Sequence, residues 1–175
     1  MLELIQQYWL YFLVGQYPKG PLGGLALTLI LASLGLLLSL PLGLVFGLMR
    51  VSPYRWVRLP VTAFIYIVRG TPLLMVVFWA YFFLPSVTGI KTDQFWTMLI
   101  ALVVFDAAYL AEIVRAGILG LPKGQMECAR SLGLSYMKAM TSVVLPQALR
   151  NSLPSLVNQF ISTIKETSLG YIIGL

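Results

Sequence analysis

Residues 22–49 read "LGGLALTLILASLGLLLSLPLGLVFGLM" and carry no charged side chain. A helix needs about 20 apolar residues to cross a bilayer, so this stretch predicts a transmembrane helix. Pro41 lies inside it and is expected to kink it, because an interior proline removes a backbone hydrogen bond. Arg50, Arg55 and Arg58 follow at once. Basic residues collect in cytoplasmic loops, so this loop is read as cytoplasmic and the N-terminus as outside.

The rest of the composition agrees. Of 175 residues, 59% are hydrophobic and 10% charged, against about 25% charged in a soluble domain. The net charge is +6, but the basic residues sit between apolar segments. There is no basic tail and no basic stripe interleaved with aromatics, which excludes a nucleic-acid partner. A single cysteine, Cys128, excludes an internal disulfide framework. No histidine is present and the acids are scattered, which argues against a transition-metal site. The opening "MLELIQQYWLYFLVGQYPKG" lacks a basic n-region and a small-residue cleavage site, so it is read as retained.

Residues 70–90 are also uncharged. The preceding "YIVRGTP" marks a break at Arg69, Gly70 and Pro72. Residues 56–68 are read as a cytoplasmic-side helical segment and 73–84 as the main second crossing. Irregular backbone at membrane depth must be buried in protein or line a cavity. Residues 86–94 form a short outer loop, with Lys91 opposed by Asp93. A third crossing, "FWTMLIALVVFDAAYLAEIVRAGIL", covers residues 95–119. Residues 154–175 supply a fourth, interrupted by Lys165 and Glu166. The expected fold is all-α, a polytopic membrane helix bundle with about four crossings. No internal repeat stands out. The sequence stops inside an apolar run, where a further segment is expected.

Between the third and fourth crossings lies "KGQMECARSLGLSYMKAMTSVVLPQALR", residues 123–150. Met126, Ala129, Leu132 and Gly133 recur at helical spacing. Gly133 permits a sharp turn, a second helical piece is expected over residues 135–144, and Pro146 ends or redirects it. By spacing alone this helix–turn–helix is either a basic amphipathic element lying on anionic lipid or a protein docking site. Glu127 fits the second reading better, although an acid at a helix start also suits the helix dipole.

"ECARSLGLSYMKAMTSVVLP" resembles the EAA loop of binding-protein-dependent ABC importer permeases. The family pattern is E-A-A, three residues, G, nine residues, then I-x-L-P. Glu127, Cys128 and Ala129 fill the triplet, Gly133 the glycine, and Val143, Leu145 and Pro146 the end. Cys128 for Ala and Val143 for Ile are the departures. "VRGTPLL", "AAYLAEIVRAGI", "LPKGQ", "LPQALRNSLPSL" and "KETSL" resemble the polar amino acid subfamily. "TPLLMVVFWAYFFLP" is closest to glutamate/aspartate permeases. The resemblance implies one permease domain over residues 1–175, with a coupling loop at 120–150 docking on a cytoplasmic ABC ATPase dimer. Five crossings, a second permease chain (a homo- or heterodimer) and a periplasmic amino acid-binding protein also follow from it, as does a multi-pass place in a bacterial inner membrane. No cofactor is expected on this chain, because no G-x-x-x-x-G-K-[ST] loop is present. ATP and Mg then belong to the partner ATPase, and the chain is no enzyme.

Ionisable residues inside crossings mark functional sites by default. Asp106, Tyr109, Glu112 and Arg115 form one cluster. Glu112 and Arg115 are three apart and share a helix face, as an internal ion pair or as part of a gate or subunit contact. Lys165, Glu166, Thr167 and Ser168 form a second. Lys165 and Glu166 point about 100° apart on a helix, so each is expected to pair elsewhere, to sit wet at the outer interface, or to line the path. In the last case Lys165 and the hydroxyls meet a carboxylate and Glu166 an ammonium, with Arg69 and Thr71 across the same cavity. Met75, Trp79, Tyr81 and Phe82 are read as packing or lipid-facing anchors. Two functions compete: the membrane subunit of an ATP-driven importer working by alternating access, and an ion-coupled secondary amino acid transporter using Asp106, Glu112 and Glu166 as a relay. A secondary transporter would favour inverted repeats.

Overall fold

A computed structural model describes residues 2–89 and 93–175. Lys91 lies outside the described residues. The elements are α1 (Leu2–Val14), α2 (Gly24–Arg50), α3 (Arg55–Gly70), α4 (Leu73–Phe78), α5 (Leu84–Thr88), α6 (Gln94–Leu119), α7 (Gly124–Ser131), α8 (Tyr136–Ala139) and α9 (Leu145–Glu166). Two π-helical turns, Trp79–Phe83 and Met140–Val144, join α4 to α5 and α8 to α9. A 3-10 stretch, Thr167–Ile173, follows α9. The described residues form no β-strand, so the all-α bundle stands.

α2 and α6 are long and apolar enough to cross a membrane. The third candidate is bent: α3 and Leu73–Thr88 meet at 101°, at the break marked by Arg69, Gly70 and Pro72. α9 has the length of a crossing, with 22 residues, but its polar residues keep it from reading as a uniformly apolar span.

α6 is the hub, with thirteen of its residues buried. Asp93 caps its N-terminus, its carboxylate accepting from the Phe95 N–H at 3.1 Å, which satisfies one of the free amides of the first turn. α2 lies along α6 through Gly35, Ser39, Gly43 and Gly47, all buried and four apart. Small residues at this spacing let two backbones approach closely. A Cβ on Gly43 would sit 2.5 Å from the Leu110 Cβ, and one on Gly47 2.7 Å from the Val114 Cβ. Gly35 faces Leu102, so α2 and α6 run parallel in register. α9 runs antiparallel to α6, with Asp106 meeting Gln159 and Thr163 while Ser152 meets Ile113. The α2–α3 elbow and the segment after α6 therefore lie at the same end of the bundle.

Three expectations need correcting. Arg50 is not a loop residue: it ends α2 with its side chain buried. Pro146 does not end the helical run before it. The chain stays helical from Tyr136 to Glu166, because the π-turn at Met140–Val144 widens the helix just ahead of the proline ring, whose missing N–H falls in the first turn of α9. Pro154 likewise lies inside α9 rather than opening it.

Candidate functional site

Within the loop at 120–150 the turn falls at Gly133, as the spacing implied. α7 ends at Leu132, and Gly133 follows at φ +85°. The Gly133 N–H donates to the Arg130 carbonyl at 3.0 Å and the Leu134 N–H to the Ala129 carbonyl at 3.2 Å. These two bonds close a Schellman turn, which needs a left-handed residue where Gly133 sits. Ser135 then caps α8 by accepting from the Lys138 N–H. Glu127 lies in the first turn of α7 and is exposed, as is Cys128, while Ala129 is buried. Leu132 departs from the expected apolar stripe: it is 83% exposed, because the turn directs it away from the bundle. Leu145 is buried and Pro146 exposed, at the start of α9. Two side-chain bonds brace the loop, one within it and one to the bundle. The Gln147 amide donates to the Gln125 carbonyl oxygen at 3.2 Å. The Tyr136 hydroxyl donates to the Val51 carbonyl at 3.4 Å, at the α2–α3 elbow. Burial raises the Tyr136 phenol above its usual range, which keeps it protonated as that donor.

The charged residues of α6 separate into two sites. Asp106 is fully buried and accepts from the Gln159 amide at 2.8 Å and the Thr163 hydroxyl at 2.9 Å, both on α9. Glu112 pairs with Arg115 as the sequence predicted, with Nε at 3.0 Å. It also pairs with Arg50 from the end of α2, and Arg69 from the end of α3 comes within 3.8 Å. The Arg50 guanidinium lies 5.1 Å over the Tyr66 ring and that of Arg69 5.0 Å over Tyr109. The ends of α2, α3 and α6 thus converge on one carboxylate. Sequence reading missed Arg50, Tyr66, Gln159 and Thr163 as site residues. The only available signal was that polar side chains in an apolar helix need partners.

Arg69 and Glu112 line a cavity of about 420 Å³ with Tyr109, Asn151, Ser152 and Ser155. Lys165 does not line it, so the structure does not bring Arg69 and Lys165 to one cavity. Thr71 donates its hydroxyl to the Ile67 carbonyl at 2.8 Å and serves the α3 C-terminus. Lys165 and Ser168 are exposed, Glu166 is half-buried and Thr167 buried. The Thr167 and Ser168 hydroxyls donate to the Ile164 and Lys165 carbonyls. The Glu166 Oε2 is buried without a hydrogen-bond partner.

The two ends are connected along α9. Asn151, Ser155, Asn158, Ser162 and Lys165 are all exposed and recur at alternating intervals of four and three. This spacing confines them to an arc of about 80° and a length of about 21 Å. Beside that arc, Ala148, Ser152, Gln159 and Thr163 are buried. Leu153, Val157 and Ile161 form an exposed apolar face. α9 thus has a packed face, a greasy face and a polar ladder, which suits a wet path rather than lipid. Among the described residues, no three His, Cys, Asp or Glu side chains gather as metal ligands.

Comparison with known proteins adds the following. The family described as "Binding-protein-dependent transport system inner membrane component" matches residues 39–175. The chain is 45% identical over 155 residues to the inner membrane amino-acid ABC transporter permease protein YhdY of Escherichia coli (strain K12), covering 87% of this chain and 42% of that protein. It is 41% identical over 157 residues to the arginine transport system permease protein ArtQ of Bacillus subtilis (strain 168), covering 88% and 70%. The probable glutamine ABC transporter permease protein GlnP of the same organism is 39% identical over 152 residues, covering 87% and 69%. The chain therefore spans under half of the first relative's length and about 70% of the other two. Among solved structures, an amino acid ABC transporter crystallised with histidines superposes with a TM-score of 0.83 at 35% identity, over 99% of this chain and 76% of that one. An inward-facing MetNI methionine ABC transporter gives 0.68 at 24% identity, over 86% and 70%, a likeness of fold.

Proposed function

This chain belongs to the family of binding-protein-dependent transport system inner membrane components, and from that premise we propose that it is the membrane-spanning subunit of an ATP-driven importer of a polar amino acid. The relatives named for arginine and glutamine support a polar amino acid. The resemblance around "TPLLMVVFWAYFFLP" favours glutamate or aspartate within that class.

The observation that carries the reading is the Schellman turn at Gly133, which presents exposed Glu127 and Leu132 on α7 and leads into α8, whose Tyr136 is tied to the α2–α3 elbow. A cytoplasmic ABC ATPase dimer docks there, supplying the ATP and Mg chemistry. Glu127, Cys128, Ala129, Gly133, Leu145 and Pro146 form the coupling element. Closure of the ATPase pair pulls the loop, and the pull reaches α2 and α3 at Val51 and α9 through its unbroken helical run. The crossings then tilt between inward- and outward-facing states. A periplasmic amino acid-binding protein delivers the solute, and a second permease chain, identical or related, closes the path. The N-terminus lies outside, and lipid covers the Leu153–Val157–Ile161 face.

The polar ladder of α9 lines that path. Lys165 takes the solute carboxylate, and the half-buried Glu166 takes the ammonium. Thr167 and Ser168 shape that end and Arg69 the other, while Thr71 sets the break beside it. Asp106 and Glu112 are both engaged by neighbouring side chains, which disfavours a proton or cation relay. Lys165→Ala in reconstituted vesicles tests the path: uptake is expected to fall at least tenfold with assembly intact, and unchanged uptake would remove Lys165 from it.

A further inference from the structure

We propose that Arg69 anchors a second oxyanion subsite, at the coupling-loop end of the path, which takes the carboxylate of the solute after it leaves Lys165. This proposal rests on the importer reading above.

Charge gives the first argument. Arg50, Arg69 and Arg115 surround one carboxylate, Glu112. The local balance is three positive charges against one negative, a surplus of two. A positive surplus in a part-buried site favours an arriving anion.

Hydrogen bonding says which cation is free. Arg115 occupies one oxygen of Glu112 and Arg50 the other. Arg69 stands off at 3.8 Å, beyond hydrogen-bond reach. Its guanidinium is held by stacking on Tyr109 instead. A guanidinium positioned through its face keeps its fork of N–H donors available for a two-oxygen anion.

Location supplies the ligand's identity. The cavity beside Arg69 measures about 420 Å³, and the opposite wall carries Asn151, Ser152 and Ser155. Amide and hydroxyl donors complement a carboxylate. Asn151 and Ser155 are also rungs of the polar ladder, so the cavity opens on the ladder face of α9. Ser155 lies ten residues from Lys165, about 15 Å along α9. Two cations at the ends of a polar ladder let the carboxylate exchange one partner for the other. An anionic lipid phosphate would satisfy the same fork, so the experiment must separate the two.

The test uses the complete transporter with its ATPase and binding protein, in vesicles of phosphatidylcholine alone and of phosphatidylcholine with phosphatidylglycerol. ATP-driven uptake of a panel of radiolabelled L-amino acids identifies the solute. Binding of that solute to the permease–ATPase complex is then competed with its α-carboxamide. In wild type the carboxamide is expected to compete poorly. Arg69→Gln is expected to weaken solute binding on the order of tenfold, as for loss of a hydrogen bond to a charged group, and to narrow the preference for carboxylate over carboxamide. A merely structural role for Arg69 would not move that preference. Arg69→Lys, which keeps charge without the fork, is expected to lie between, and it decides the question if Arg69→Gln fails to assemble. An unchanged preference in the variants overturns the subsite and leaves the importer reading standing. An effect confined to vesicles with phosphatidylglycerol assigns the fork to lipid phosphate and overturns the solute subsite. Uptake of no amino acid by wild type overturns both.

Discussion

Asp106 on α6 and Thr163 on α9 are joined by a hydrogen bond of 2.9 Å between carboxylate and hydroxyl, and neither side chain reaches solvent. Gln159 donates to the other carboxylate oxygen. An acid that looks in the sequence like a relay is thus an interhelical fastener. Asp106→Ala strands the buried Gln159 amide, while the Thr163 hydroxyl keeps the Gln159 carbonyl as acceptor, and is expected to cost about 1–3 kcal/mol, read as a lower melting temperature of the assembled complex in detergent. Asp106→Asn keeps an acceptor and is expected to melt near wild type with uptake retained. Loss of uptake in Asp106→Asn without a change in melting would indicate a relay instead.

Glu112 is opposed by more positive charge than it can neutralise. Glu112→Gln leaves three guanidinium groups facing one another, whereas Arg50→Gln removes only one of them. Glu112→Gln should therefore destabilise more than Arg50→Gln. The loss approaches the about 3–5 kcal/mol of a broken buried pair, lessened by the partial exposure of Glu112. The double variant is expected to melt above Glu112→Gln alone. No such rescue would mean that the two charges do not interact in the assembled protein.

The parallel contact of α2 on α6 has no room for side chains at Gly43. Gly43→Val is expected to force the helices apart at a cost of about 1–3 kcal/mol, seen as lower thermal stability with membrane insertion retained. Nothing lies within 4 Å of a Cβ on Gly70, so Gly70→Ala is expected to be tolerated. Equal melting of the two variants would contradict the close packing.

Some of this was legible in the sequence because it is local. The charge-free run at 22–49, the break at Arg69–Gly70–Pro72 and the i,i+3 pair of Glu112 and Arg115 all follow from spacing, as does the turn at Gly133. What escaped depends on partners far along the chain. Arg50 closes an apolar run and so looks like a loop anchor, while its burial is decided by Glu112, 62 residues later. Gln159 and Thr163 are ordinary polar residues until Asp106 is placed against them. Pro146 reads as ending or redirecting its helix, yet a π-turn carries the helical run past it, and the tolerance of helix interiors in packed bundles carries α9 through Pro154. The polar ladder of α9 was not singled out in the sequence, because only the packed face of the helix shows which of its polar residues stay exposed.

The proposed coupling role of the loop at 120–150 makes a separate prediction. Glu127→Lys reverses a charge exposed on α7 and is expected to lower ATPase co-purification, or to uncouple hydrolysis from uptake, without altering insertion. Gly133→Ala places a side chain at φ +85°, which costs about 1–2 kcal/mol, and should weaken ATPase attachment more than Cys128→Ala does. Wild-type attachment and coupling in both Glu127→Lys and Gly133→Ala would return the loop to a surface helix on lipid.

The most direct test of the account is uptake by the purified chain reconstituted with the proposed second permease chain, ATPase and binding protein. Uptake of a polar amino acid is expected to require ATP inside the ATPase-facing compartment and to stop when the ATPase is omitted. Uptake driven by a proton or sodium gradient, with neither ATP nor ATPase present, would contradict it.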